Sequence, residues 1–230
     1  MNHQLALAIQ LNDEATLADF CWDQNKLLEK QLLQTIAGEE PHIVYLWGQS
    51  GNGKSHLLQA CCQASSPERP AIYLPLTTLK EWGPSILDGL DTQALLCIDD
   101  LDAIAGDKNW EEAIFHLFNR IKDNEHTSLI FTSQYAPRHI PITLADLKSR
   151  LSWGLVVLIN ALDDHSKIKT ICLHAKKRGF ELPETVAQFL VNRSARNMHD
   201  LHILLNQLDN ASLIAQRKIT IPFVKQWLNI

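Results

Sequence analysis

The 230-residue sequence lacks an excess of positive charge. It carries 21 Lys and Arg residues against 26 Asp and Glu residues, a formal net charge of -5. Proteins that devote a whole face to the DNA backbone usually have an obvious basic excess, so this balance argues against such a face and leaves room only for a local basic patch. The sequence also lacks an apolar run of the roughly 18 residues that a spanning helix needs, so no membrane association is expected.

Signals for secretion and for disulfide bonds are also lacking. No Lys or Arg precedes the short apolar stretch at Gln4–Ile9, so we expect no secretory signal. The five cysteines include no Cys-x-x-Cys pair, which favours reduced core thiols in a cytoplasmic protein. Among the ten histidines, His199 and His202 stand at helical spacing without an adjacent acidic or cysteine partner, which favours a surface pair over a metal site.

Short apolar runs alternate with helical patterns through the first two thirds of the sequence. The runs that predict strands are residues 42–47, 71–75, 94–99, 128–133 and 155–159. They are continuous rather than alternating, which is typical of strands covered on both faces. Strands alternating with helices predict a parallel α/β sheet. Helical patterns alone follow Asp163, so we expect a flexible tail at 1–12, an α/β domain at 13–161 and a helical domain at 162–230.

A complete phosphate-loop motif follows the first predicted strand. The sequence GQSGNGKS (Gly48–Ser55) fits G-x-x-x-x-G-K-[ST] and stands between a strand and a helix, which is the context that this motif needs. Its glycines allow consecutive N–H groups to face a phosphate, and the helix that follows adds its positive end. The predicted nucleotide contacts in this segment are Gly48, Gln49, Ser50, Gly51, Asn52, Gly53, Lys54, Ser55 and His56.

An acidic pair ends the third apolar run, LLCIDD. At one strand–helix unit beyond the phosphate loop, Asp99 is placed to hold Mg²⁺ together with Ser55, and Asp100 is placed to orient an attacking water. The sequence therefore predicts a site for ADP or ATP with Mg²⁺, and which nucleotide is the working one stays open.

Several stretches resemble one family. LLCIDDLDAIAGDKNWEEAIFHLFNRI and TSQYAPRHIPITLADLKSRLSWGLVV look like the AAA+ module of the bacterial replication initiator DnaA. RGFELP (178–183) and QLDNASLIAQRKITIPFVK (207–225) extend the likeness to the Hda-like group of DnaA-homologous regulators. The resemblance implies a P-loop AAA+ module with a parallel sheet, followed by a small helical lid. It reaches Ile230, so we expect no helix-turn-helix domain of the DnaA kind.

The resemblance also implies a function and partners. Hda-like proteins bind the beta sliding clamp of polymerase III and, when the clamp is on DNA, stimulate ATP hydrolysis by DnaA. This inactivates DnaA and prevents re-initiation of replication. DNA would then be reached mainly through the clamp.

Individual residues match the family's functional positions. Arg150 matches an arginine finger that acts in trans, on DnaA or on a second copy of this chain in a dimer or higher oligomer. Phe20 and Trp22 match the adenine-pocket region, and His199 stands where DnaA-type modules carry the arginine of the second sensor. Gln134 replaces an acidic residue at the first sensor. Because these sensor residues differ from those of DnaA, we expect the chain's own ATPase activity to be weak or absent.

The apolar stretch at the start of the chain, QLALAI, matches the pattern of bacterial clamp-binding peptides. An extended peptide would place Leu7 and Ile9 in apolar pockets of the clamp while the Gln4 amide forms a hydrogen bond at the rim, and Leu5 belongs to the same predicted clamp-binding stretch.

Two other functions share the phosphate loop. An AAA+ ATPase that loads a replicative helicase would need a basic and aromatic groove for single-stranded DNA, and the sequence contains no such stretch. A small-molecule kinase would need an arginine-rich lid, whereas the arginines of the helical part are scattered.

Overall fold

The computed structural model describes residues 11, 15–23, 25–40, 42–124, 126–193 and 197–228. A parallel sheet of five strands forms the centre of its first part, in the spatial order β2-β3-β4-β1-β5. The strands are β1 (Ile43–Trp47), β2 (Ala71–Pro75), β3 (Leu95–Asp99), β4 (Ser128–Ser133) and β5 (Leu155–Leu158). The predicted parallel α/β sheet is therefore confirmed.

Helices surround the sheet and make up the C-terminal part. Those of the sheet domain are α1 (Lys26–Ala37), α2 (Lys54–Ala64), α3 (Leu76–Leu79), α4 (Lys108–Asn124) and α5 (Ala145–Arg150). The C-terminal ones, hereafter the lid, are α6 (Asp164–Lys177), α7 (Glu184–Arg193), α8 (Met198–Ala215) and α9 (Ile221–Trp227). Within the described ranges, no helix is both long and apolar enough to cross a membrane.

Each face of the sheet buries its own apolar cluster. On one face α4 packs Ile114, Leu117 and Phe118 against Tyr45 of β1. On the other face α1 and α2 cover the opposite side chains of β1. The lid has a separate apolar core built from α6 to α9. Most strands are thus covered on both faces, as their continuous apolar sequences predict.

The last strand differs from this expectation. β5 pairs only with β1 and so forms one edge of the sheet. Its side chains alternate, with Leu155 and Val157 packed inward while Val156 and Leu158 are exposed. An apolar run therefore leads here to an edge strand of which only one face is covered.

The strand order determines where the site forms. β3, β4 and β1 are adjacent, so their carboxyl ends meet at the same edge. The phosphate loop follows β1, the acidic pair ends β3, and Gln134 follows β4. A crevice at this edge is where open α/β sheets bind ligands.

Candidate nucleotide-binding site

A cleft of about 490 Å³ lies between this edge of the sheet and the lid. Its walls come from the phosphate loop, the segment before α1, the β3 and β4 ends, and helices α6 and α8. The cleft brings together the following residues predicted from sequence: Phe20, Ser50, Gly51, Asn52, Gly53, Lys54, Ser55, His56, Asp100, Gln134 and His199.

Two glycines of the phosphate loop have conformations that other residues rarely adopt. Gly51 has a φ of +82°, and a Cβ atom there would stand 2.6 Å from Cβ of Asn197 in the lid. Gly53 has a φ of +86°, and a Cβ atom there would stand 3.2 Å from the Phe20 ring. The glycines therefore provide both the turn and the close approach of lid and loop.

Lys54 begins α2 and is only 5% exposed. Its Nζ atom donates hydrogen bonds to the carbonyl oxygens of Gly48, at 2.8 Å, and Gln49, at 3.0 Å. Burial lowers the pKa of Lys54, and the aspartates at the end of β3 oppose that effect. The ammonium group thus lies inside the loop. Phosphate oxygens of a bound nucleotide could replace the two carbonyl oxygens as acceptors of its hydrogen bonds.

Asp99 lies behind the wall of the cleft and is 1% exposed. One of its carboxylate oxygens accepts a hydrogen bond from the hydroxyl of Thr132, and the other accepts one from the hydroxyl of Tyr73 at 2.7 Å. These partners belong to the strands on either side of β3 and hold the carboxylate in place. Sequence reasoning missed both of them, since no local pattern links the three strands.

Asp100 faces the cleft from the next position. Its φ of +54° is unusual for a residue other than glycine, and its N–H donates to the Thr132 hydroxyl at 2.9 Å. Burial and the carboxylates of Asp99 and Asp102 raise the pKa of Asp100 to about 6, although Lys54 opposes this. A carboxylate in that range can accept a proton near neutral pH.

The donor set fits a magnesium ion that is held jointly with phosphates. Ser55 and Asp100 line the cleft with oxygen atoms, which Mg²⁺ prefers. Asp99 does not line the cleft, and each of its oxygens already accepts a hydrogen bond from a hydroxyl group, so its carboxylate does not face the ion position directly. Among the residues that the structure describes, no group of three or more His, Cys, Asp or Glu side chains is arranged to hold a metal ion alone.

Aromatic residues form the cleft wall before α1. The ring of Phe20 lies 4.6 Å from that of Trp22 and 6.3 Å from that of His56. Trp22 supports Phe20 from behind rather than lining the cleft, and its indole N–H donates to the Leu17 carbonyl at 2.9 Å. Of the two aromatic residues predicted here, Phe20 is the one positioned to touch a base.

The lid is attached to the sheet domain at Asp19. Lys177 of α6 forms an ion pair with the Asp19 carboxylate, and His174 Nε2 lies 3.4 Å from the Asp19 carbonyl oxygen. Burial alone would raise the pKa of Asp19, but Lys177 and the Thr16 hydroxyl hold it below its usual value. Sequence reasoning did not single out these residues.

A histidine cluster, defined here as His56, His174 and His202, continues this contact along the cleft. The rings of His174 and His202 lie 4.4 Å apart, and those of His174 and His56 lie 6.5 Å apart. His199 is exposed at the cleft, whereas His202 is half-buried there. The groups that face His174 are Asp19, His56, Lys177, Arg178 and His202.

We expect the closed lid to lose stability as pH falls below about 6.5. Burial lowers the pKa of His174, so the unfolded chain binds the proton first. The stability that the neutral His174 side chain contributes is therefore fully present above its pKa in the unfolded chain. That stability is lost as the pH falls toward its lower pKa in the folded chain. The melting temperature should be measured between about pH 7.5 and 5.5. As the pH falls, it should decline less steeply for His174→Gln than for the exposed control His165→Gln. Equal slopes for the two variants would contradict this.

Arg150 lies outside the cleft, as the last residue of α5. The loop before α5 is fixed by Glu111 of α4, which is 0% exposed. Its carboxylate accepts from the N–H groups of Gly106, Thr143 and Leu144 at 2.7 to 3.1 Å, and from the Thr143 hydroxyl at 2.7 Å. These bonds hold the pKa of Glu111 below its usual value although burial would raise it. These hydrogen bonds thus hold the N-terminal end of the short helix that carries Arg150.

The predicted clamp-binding residues Gln4, Leu5, Leu7 and Ile9 lie outside the residues that the structure describes. Their role stays a prediction.

Comparisons with known proteins agree with this architecture. Residues 164–228 match the family "Hda, lid domain", and residues 85–158 match the family "Bacterial DnaA ATPase domain". The chain is 44% identical over 231 residues to an uncharacterized protein of Haemophilus influenzae, and the match covers 100% of both chains.

Solved structures show the same fold at lower identity. Domain III of Thermotoga maritima DnaA matches with a TM-score of 0.80 and 20% identity, over 96% of this chain and 98% of that one. AMPPCP-bound DnaA of Aquifex aeolicus matches with a TM-score of 0.71 and 24% identity, over 84% of this chain and 64% of that one. The T. maritima RuvB branch migration motor matches with a TM-score of 0.72 and 17% identity, over 94% of this chain and 72% of that one. The chain therefore belongs to the Hda-like group of DnaA-homologous AAA+ proteins.

Proposed function

We propose that this DnaA-related regulator of replication is a nucleotide-bound adaptor: it binds the polymerase sliding clamp and stimulates ATP hydrolysis by DnaA, which prevents re-initiation. The proposal rests on one observation, which is that the nucleotide cleft and Arg150 lie at separate places on the chain. A complete phosphate-loop cleft is closed by the chain's own lid, while Arg150 stands outside that cleft. A chain built in this way can hold its own nucleotide and act on a neighbour's.

The cleft would hold ADP or ATP by the phosphate loop. The backbone N–H groups and the start of α2 face the phosphates, and Lys54 would exchange its carbonyl partners for phosphate oxygens. Phe20 and the lid would enclose the rest of the nucleotide, with His199 at the second sensor. When bound, Mg²⁺ would offset the phosphate charge, held by Ser55, with Asp99 acting through the water shell of the ion.

The chain's own turnover would be slow. His199 is exposed and shorter than an arginine, so its contact with a γ-phosphate would be weaker. Gln134, whose backbone N–H donates to the Asp102 carboxylate at 2.9 Å, has an uncharged side chain at the first sensor. Asp100 would orient water, yet without an arginine at the second sensor the transition-state charge is poorly offset. The nucleotide then serves mainly to keep the lid closed.

Lys54→Ala is expected to weaken ADP binding by about 10- to 150-fold, since hydrogen bonds to charged groups contribute about 1.5–3 kcal/mol. Isothermal titration with ADP and Mg²⁺ would measure this. Lys167→Ala is the matched control, because Lys167 also lines the cleft but is paired with Asp164 at 2.9 Å. A loss in the control as large as in Lys54→Ala would remove the phosphate-loop lysine from its assigned role.

The tail experiment tests the adaptor function. Replacing Leu7 and Ile9 together with alanine should weaken binding to the clamp by about 100-fold, because two buried anchors are truncated. The clamp-dependent stimulation of DnaA by this chain should fall in parallel, while ADP binding stays unchanged. Ala8→Ser, at an intervening position of the same peptide, is the control. Unchanged clamp binding in the double variant would refute the proposed adaptor contact.

A further inference from the structure

Trp153 stands on the turn that follows α5, and the residue is 41% exposed. Leu151 before it is buried, and the Trp153 N–H donates to the Arg150 carbonyl at 2.9 Å. Gly154 after it has a φ of +74°, and a Cβ atom there would come within 2.4 Å of the Ile43 carbonyl oxygen. The turn is therefore fixed against β1, and the exposed ring has a defined position.

Two cations lie against this ring. The guanidinium carbon of Arg150 is 4.2 Å from the ring centroid, and the ammonium nitrogen of Lys122 is 4.1 Å from it. Within the described part of the chain, the Arg150 guanidinium takes part in no ion pair and no hydrogen bond. The N–H donors of Arg150 thus remain available to a partner while the guanidinium lies against the Trp153 ring.

Such a contact suits an arginine that must act on another molecule. A cation over an aromatic face is attracted by the ring without using its hydrogen-bond donors. An arginine side chain otherwise samples many rotamers, and restricting it beforehand reduces the entropy lost when it binds. Lys122 adds a second positive charge beside the ring, which favours an anionic partner.

We propose that Trp153 is a positioning residue for Arg150: its ring holds the guanidinium ready for the triphosphate of a neighbouring AAA+ subunit. This inference rests on the proposed function, in which that neighbour is ATP-bound DnaA. It adds an aromatic support that acts through the arginine and does not itself touch the nucleotide.

Kinetics of stimulated hydrolysis test the inference. With ATP-bound DnaA and DNA-loaded clamp, Trp153→Leu should lower the maximal stimulated rate about five- to thirtyfold, because the contact is desolvated at an interface. The chain concentration for half-maximal stimulation should change little. Trp153→Phe, which keeps an aromatic face, should recover most of the rate. Trp82→Leu, which replaces a tryptophan that is 51% exposed elsewhere, is the control.

A double-mutant cycle shows whether Trp153 acts through Arg150. In an Arg150→Ala background, Trp153→Leu should cause no further loss. Additive losses, or a shift confined to the half-maximal concentration, would overturn the positioning role and leave Trp153 as an ordinary interface residue. If Arg150→Ala itself keeps full stimulation, the proposed function fails instead.

A spectroscopic measurement tests the contact without DnaA. In the NMR spectrum of the full chain, ring currents should shift the side-chain protons of Arg150 upfield. Those shifts should return to ordinary values in Trp153→Leu, persist in part in Trp153→Phe, and be unaffected in Trp82→Leu. Ordinary Arg150 shifts in the unmodified chain would overturn the inference whatever the kinetics show.

Discussion

Replacing Arg150 with alanine is expected to lower the hydrolysis of DnaA-bound ATP that this chain stimulates by about 10³-fold or more. A finger supplied to a neighbouring site offsets the charge that develops during phosphoryl transfer, and such fingers contribute about 10³–10⁵ in rate. Because Arg150 lies outside the chain's own cleft, ADP binding should stay within about twofold of the unmodified value. Phosphate release from DnaA and titration with ADP measure the two effects.

The matched control for this prediction is Lys148→Ala. Lys148 is a neighbouring cation on the same short helix, so its removal changes the local charge equally but leaves Arg150 in place. Arg150→Lys is also informative, because an ammonium group lacks the planar fork of donors and should recover only a small part of the rate. Full stimulation by Arg150→Ala would exclude the arginine from the mechanism.

The second large effect is expected at Glu111. Replacing it with alanine leaves the N–H groups of Gly106, Thr143 and Leu144 without their buried acceptor, which should destabilise the fold by about 3–5 kcal/mol. A typical domain is stable by only about 5–15 kcal/mol, so Glu111→Gln is the variant for functional assays. With one acceptor oxygen left, it should fold and bind ADP, yet stimulate DnaA poorly because the start of α5 is loosened.

Glu112→Gln is the control for Glu111, since its carboxylate is exposed and pairs with Lys108 at 3.7 Å. Exposed ion pairs of this kind contribute about 0–1 kcal/mol. Chemical denaturation compares the stabilities, and the DnaA assay compares the activities. Equal stability of the Glu111→Ala and Glu112→Gln variants would show that the buried carboxylate does not hold the loop before α5.

Much of the site could be predicted because its signals are local. The phosphate loop, the acidic pair after β3 and the strand–helix alternation occupy contiguous stretches, and topology then brings the strand ends to one edge. The exposed outer face of β5 could not be predicted, because an apolar run reads the same in a central strand and at an edge.

The remaining contacts are long-range and have no sequence signature. Tyr73 and Thr132 reach Asp99 from two different strands, and His174 meets Asp19 only because the lid folds back over the cleft. The Trp153 ring contacts both Arg150 and Lys122, and Lys122 belongs to a separate helix. Such contacts depend on packing between elements, which patterns within one element do not report.

The most direct test follows two nucleotides at once in a single-turnover reaction. DnaA is loaded with ATP labelled at the γ-phosphate, this chain is loaded with ADP, and the clamp is assembled on DNA. We expect labelled phosphate to be released rapidly only when the chain and the DNA-loaded clamp are both present, while the chain keeps its ADP throughout. A DnaA hydrolysis rate that is the same with and without the chain would contradict the proposed function.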